Sequence, residues 1–140
     1  MTFDNLPNNW SEIPLWDNDL SDVVDLFLGI ADRLDNSLLM LITDEEGTPV
    51  PMPITIHHIN WDDNPAAQSG FTTMIGDLAD LGSRVLVAFG HRTAGPTTAD
   101  LRWRTQLTEL LSRQGLTPID FFSADPVEVR RVPEASAFAA

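Results

Sequence analysis

Val85-Leu86-Val87-Ala88-Phe89 is apolar at every position. A strand sends alternate side chains to opposite faces, so a run without polar alternates must be covered on both sides. That places the strand, Arg84 to Gly90, centrally in a sheet with helices above and below it. At 140 residues, with 43% apolar content, the chain is long enough to build one such core. The expected fold is α/β, a single three-layer domain with a mixed β-sheet of about four to five strands flanked by three main helices.

The order of elements supports this. Residues 1–20 mix Pro7, Pro14, Trp10 and Trp16 without a period and read as an irregular N-terminal arm, anchored by Trp10, Leu15 and Trp16, the candidate interface residues. Ser21 is placed to cap a helix running to about Leu34, with Val23, Val24, Phe27, Ile30, Ala31 and Leu34 inward and Asp22, Asp25 and Asp32 outward. Leu38 to Thr43 reads as a buried strand, and Asp44-Glu45-Glu46-Gly47 as the turn of a hairpin. The returning strand carries Pro49, Pro51 and Pro53, so its first half belongs at a sheet edge and pairing improves from Ile54 onward. His57 and His58 close it as surface residues.

Asn64-Pro65 opens a second helix over about Ala66 to Leu81, with Phe71, Met74, Ile75, Leu78 and Leu81 inward and Gly82 as its terminator. A third helix follows the central strand, from about Thr98 to Gln114, ended by Gly115. Trp103 lies one position off its apolar stripe, flanking the core or an interface. Thr117 to Ser123 is a strand with Ile119 and Phe121 on one face and Phe122 on the other, and Val127 to Val132 is a short strand or turn. The α/β domain is bounded at residues 21–132, with 133–140 a disordered tail.

Charge limits the partners. Residues 1–80 carry 15 acidic groups against Arg33 alone, and residues 81–140 carry 6 against 7 arginines. Such a surface repels phosphate backbones and anionic lipid, so neither nucleic acid nor membrane is an expected partner. The chain has no cysteine, which removes thiolate zinc sites and thiol chemistry. It lacks a membrane-length apolar run and a secretory signal, so a cytoplasmic protein is expected.

The chemistry-bearing segment is the corner after the central strand. Gly90, His91, Thr93, Gly95, Thr97 and Asp100 are the candidate ligand-binding residues, because ligands in open α/β sheets sit off the carboxyl ends of central strands. Thr97 and Asp100 also have the spacing of a capping box, which explains them without a ligand.

Val85 to His91 and Pro96-Thr97-Thr98-Ala99-Asp100, in this order of elements, resemble the JAB/MPN metallopeptidase-like domain, most closely its RadC branch. The resemblance implies a strand running into a zinc-binding histidine, with His91 and Asp100 at ligand-equivalent positions and Thr97 in place of the family's serine. The family's second histidine is replaced by Thr93, and Asp35-Asn36 stands where its glutamate is expected. Catalytic zinc ordinarily needs three protein ligands, and two are present. The expectation is therefore a non-catalytic binding or scaffold relative of the fold, without cofactor, engaging a protein partner or a second copy as a homodimer. Two alternatives stay open: a zinc hydrolase completed by His57 or His58, and a small-molecule or anion sensor using free amides of the loop 90–98.

Overall fold

The computed structural model describes residues 5–68 and 70–134. After 3-10 turns at Trp10–Glu12 and Leu15–Asp17 come α1 (Leu20–Phe27), α2 (Ile30–Leu34), β1 (Leu38–Thr43) and β2 (Ile54–Ile56). A 3-10 turn at Pro65–Ala67 precedes α3 (Phe71–Ala79), β3 (Arg84–Gly90), α4 (Thr98–Arg113), β4 (Thr117–Ala124) and β5 (Val129–Arg131). The five strands form one mixed sheet in the order β2-β1-β3-β4-β5, with β3 in the middle. Only β3 and β4 are parallel, joined by the α4 crossover, and the other neighbours run antiparallel. The α/β expectation holds.

Alternation along the strands divides the interior in two. Met40, Ile42, Val85, Val87, Phe89 and Phe121 face α3 and α4, whereas Leu39, Leu41, Leu86, Ala88 and Phe122 face Leu15, Val23, Val24 and Leu28. Trp103 is fully buried at the centre of the first half, correcting its expected flanking position. Its indole N–H donates to the carbonyls of Trp61 and Asp63, so the ring brings its polar atom into the core already satisfied.

Three further expectations change. The first helix is two helices: Leu28 is extended and Gly29 starts α2, with Asp32 accepting from the Gly29 amide. The freed Leu28 carbonyl accepts from Nε of Arg33, so a buried arginine replaces the missing helical hydrogen bond. The break rotates the faces, leaving Ile30 and Leu34 exposed and burying Asp22 and Asp25. The cap is Asp19, not Ser21, since its side chain accepts from the Ser21 amide.

The second helix starts later than expected, because Asn64-Pro65 initiates only a 3-10 turn, and Gly70, at φ +71°, restarts the chain into α3. Leu81 lies beyond α3 and is half exposed. Gly82 does not cap that helix: a β-carbon there would collide with the Thr43 carbonyl at the end of β1, so the residue serves close approach of two backbones. Ile119 shares the face of Phe122 rather than that of Phe121, because a bulge pairs Val85 with Pro118 and Leu86 with Asp120 and skips Ile119.

The sheet borders are short. Proline confines β2 to Ile54–Ile56 as expected, with Pro49 making a single bridge to Thr43, and β5 at the other border spans three residues. No helix among the described residues is long and apolar enough to cross a membrane. The expected tail falls largely on residues 135–140, which lie outside the described residues.

Candidate functional site

Parallel pairing of β3 and β4 brings their carboxyl ends together, and α4 starts beside them. His91 continues β3, its amide donating to the Ala124 carbonyl at 3.1 Å. Asp100 is the third residue of α4, where it forms the expected capping box: the Asp100 amide donates to Oγ1 of Thr97 at 3.0 Å and the Thr97 amide to Oδ2 of Asp100 at 2.9 Å. The same Oδ2 lies 2.8 Å from Nε2 of His91, and Oδ1 lies at 3.0 Å.

The partners of the imidazole determine its protonation. Nδ1 lies 2.7 Å from the Thr93 carbonyl, which can only accept. A hydrogen on Nδ1 leaves Nε2 of a neutral ring as an acceptor facing a carboxylate, so the arrangement calls for a second proton. Burial opposes that charge, yet the hydrogen bond and charge of Asp100, the Thr93 carbonyl and the charge of Asp125 outweigh it and raise the His91 pKa above the ordinary 6.5. Below its raised pKa the ring is an imidazolium against the Asp100 side chain, with His91 5% and Asp100 2% exposed.

Sequence reasoning missed two members of this cluster. Oγ of Ser123 lies 3.0 Å from the same Nε2, and Asp125 accepts the Gly95 amide at 3.3 Å. Neither has a local motif; the available signal was that a strand parallel to β3 must end beside it, and Ser123 is paired with Phe89. Serine, histidine and aspartate are thus together, but not as a relay. A nucleophilic serine needs an unprotonated nitrogen to take its proton and an acid orienting the other nitrogen. Here acid and hydroxyl share Nε2, and Nδ1 faces a carbonyl.

Of the six candidate ligand-binding residues, His91, Thr93, Thr97 and Asp100 are hydrogen-bonded together with Gly95 packed over them, while Gly90 precedes His91 and is held by Ser37 and Trp61. Gly90 donates to the Ser37 carbonyl, Gly95 to Asp125 and Thr97 to Asp100, so these amides already have acceptors. Nη1 of Arg130 holds the Gly95 carbonyl at 3.0 Å. Gly95 itself packs so closely that a β-carbon would collide with Oγ of Ser123 and lie 2.9 Å from Cε1 of His91. A cleft of about 580 Å³ adjoins the cluster, lined by Asn60, Trp61, His91, Arg92, Thr93 and Thr97 among others.

His91 and Asp100, the metal-ligand candidates, contact each other directly. His57 is engaged elsewhere, with Nδ1 2.8 Å from Oγ of Ser37, and it faces Asp32 at 3.7 Å. Among the described residues, no three histidine, aspartate or glutamate side chains are placed to hold a metal ion.

The interface candidates lie on the chain's own domain. Leu15 is fully buried in the core, Trp10 meets Phe27 edge-on at 5.7 Å, and Trp16 covers Gly47 with the Arg84 guanidinium 5.4 Å above its ring. Trp16 remains 45% exposed. No protein-family model, no curated protein and no solved structure matches the chain.

Proposed function

We propose that this chain is a non-catalytic binding or scaffold protein, a relative of the JAB/MPN fold whose metal corner has been replaced by a structural ion pair, and that it acts through contacts with other proteins. The observation that carries the reading is the direct contact of His91 with Asp100. Zinc would have to sit between these groups, and the hydrogen bonds that join them would have to break. Ser123 on the same nitrogen supports the same conclusion, because it leaves the hydroxyl without a base. The anion-sensor alternative is weakened by the engagement of the loop amides with Ser37, Asp125 and Asp100. An acidic, proteinaceous contact surface in the cytoplasm, with a homodimer among its forms, fits the charge distribution.

Metal analysis of protein purified without chelator or affinity tag, combined with sedimentation of the same sample, tests the proposal. The expected result is no stoichiometric zinc and an assembly state that His91→Ala does not change while the chain remains folded. One zinc per chain, lost in His91→Ala, would overturn the reading and favour the hydrolase.

A further inference from the structure

We propose that the groove between α1, α2 and the β4–β5 turn is a docking site for an arginine-bearing apolar segment of a partner protein. This rests on the protein-contact reading above and names the site and its chemistry. The groove has a volume of about 630 Å³. Among the described residues its acidic lining comprises Asp19, Asp22, Asp25 and Glu128 against Arg33, with Asp19 engaged by Ser21 and Glu128 by Arg130 beside the groove.

Asp22 carries the inference. It lines the groove, is 7% exposed, and makes no side-chain hydrogen bond or ion pair with any described residue. The first turn of a helix favours a negative charge, which explains a carboxylate at this position. It does not explain why a residue set so deeply in the groove has no donor among the described residues, an arrangement that an arriving cation would complete. One turn further along α1, Asp25 shows the matching geometry within the chain: Nη2 of Arg33 lies 2.7 Å from its Oδ1. The same helix face therefore already holds one guanidinium and presents an unmatched carboxylate beside it.

The walls specify what accompanies the cation. Val127 is 88% exposed and Ile30 38%, and Pro126 of the β4–β5 turn lines the groove beside them. These surfaces suit the aliphatic stem of a long basic side chain and an apolar neighbour on the same peptide. Arginine fits better than lysine because its planar fork can donate to two carboxylates at once and is more easily dehydrated. A bare divalent cation is a poor occupant, since no set of three ligands is assembled among the described residues. An anion has the wrong sign.

The test uses the full chain and a fluorescein-labelled dodecapeptide alternating arginine and leucine, followed by fluorescence anisotropy at physiological salt. The charge-matched control is Asp77→Asn/Asp80→Asn, on α3 and at its carboxyl cap across the sheet. Saturable binding weakened at least tenfold by Asp22→Asn/Glu128→Gln, and less than twofold by the control pair, supports the site. Equal weakening by both pairs, binding of spermine in place of the peptide, or absence of saturable binding would overturn it. Asp22→Asn alone is expected to melt close to the parent temperature, because the side chain makes no hydrogen bond or ion pair with a described residue; a clear drop would assign Asp22 to the fold instead. A homodimer that is indifferent to Asp22 would remove this site and leave the protein-contact reading standing, whereas stoichiometric zinc at His91 would remove that reading itself.

Discussion

Nε2 of His91 lies within 3.0 Å of both carboxylate oxygens of Asp100, with neither residue more than 5% exposed. The two side chains read from the sequence as metal-ligand candidates face each other here. The contact therefore belongs to stability, and its removal should be felt in unfolding before anything else.

Asp100→Ala leaves a buried imidazolium without its counter-charge and takes the cap from α4. A loss of about 3–5 kcal/mol is expected. Urea unfolding of His91→Ala, Asp100→Ala and the double variant checks this. The double variant should lose clearly less than the sum of the single losses, since each single change strands the other partner.

The raised pKa of His91 gives the pair a pH signature. A group whose folded pKa exceeds its unfolded value contributes fully below the unfolded value, about 6.5 for histidine. The contribution fades as pH climbs through the folded pKa. Unfolding free energy should therefore decline from about pH 6.5 upward, and the decline should be absent in His91→Gln. An NMR titration of the His91 Cε1 proton, with a midpoint below 6.5, would contradict the assignment.

Gly95 roofs the cluster. A methyl group there would be driven into Oγ of Ser123 and onto Oδ2 of Asp100 at 3.0 Å. Gly95→Ala is expected to cost about 1–3 kcal/mol through overpacking. Adding Ser123→Ala removes the nearest atom and should recover part of that loss, measured as thermal midpoints of the single and double variants.

The arm divides into a buried and an exposed anchor. Leu15→Ala should destabilise the domain by about 2–5 kcal/mol, as expected for a fully enclosed leucine. Trp16→Ala loses mainly its contact with Arg84 and should cost about 1 kcal/mol or less. Denaturant midpoints of the two variants, and protease sensitivity of the arm, distinguish them.

Much of the frame was legible where local signals and tertiary packing agree. β3 and α4 fall within a residue of their expected bounds: an all-apolar run defines the first, and Thr97 with Gly115 brackets the second. The proline-spaced edge strand was legible for the same reason. The reading failed where a distant residue decides. At Leu28 the local sign, Gly29 with Asp32 three residues on, was outweighed by the three-and-four spacing that continues across the break, and the substitute donor is a side chain folded back from Arg33. Ile119 changes face through a bulge set by its neighbour strand. In the candidate site, His91, Thr97 and Asp100 could be identified because a strand end and a cap share one short segment. Ser123 and Asp125 enter from another strand and could be found only by pairing β4 with β3.

The narrow borders of the sheet determine how copies of this chain can meet. β2 is short and led by prolines, and where β5 covers only residues 122–124, the 117–120 stretch of β4, without a strand partner on its outer side among the described residues, is blunted by Pro118 and the bulge at Ile119. Association through side chains on the helical layers is therefore favoured over strand addition. The long interior strands β1 and β3, the segments best able to seed fibrils, come within reach only when the helical layers have lifted away.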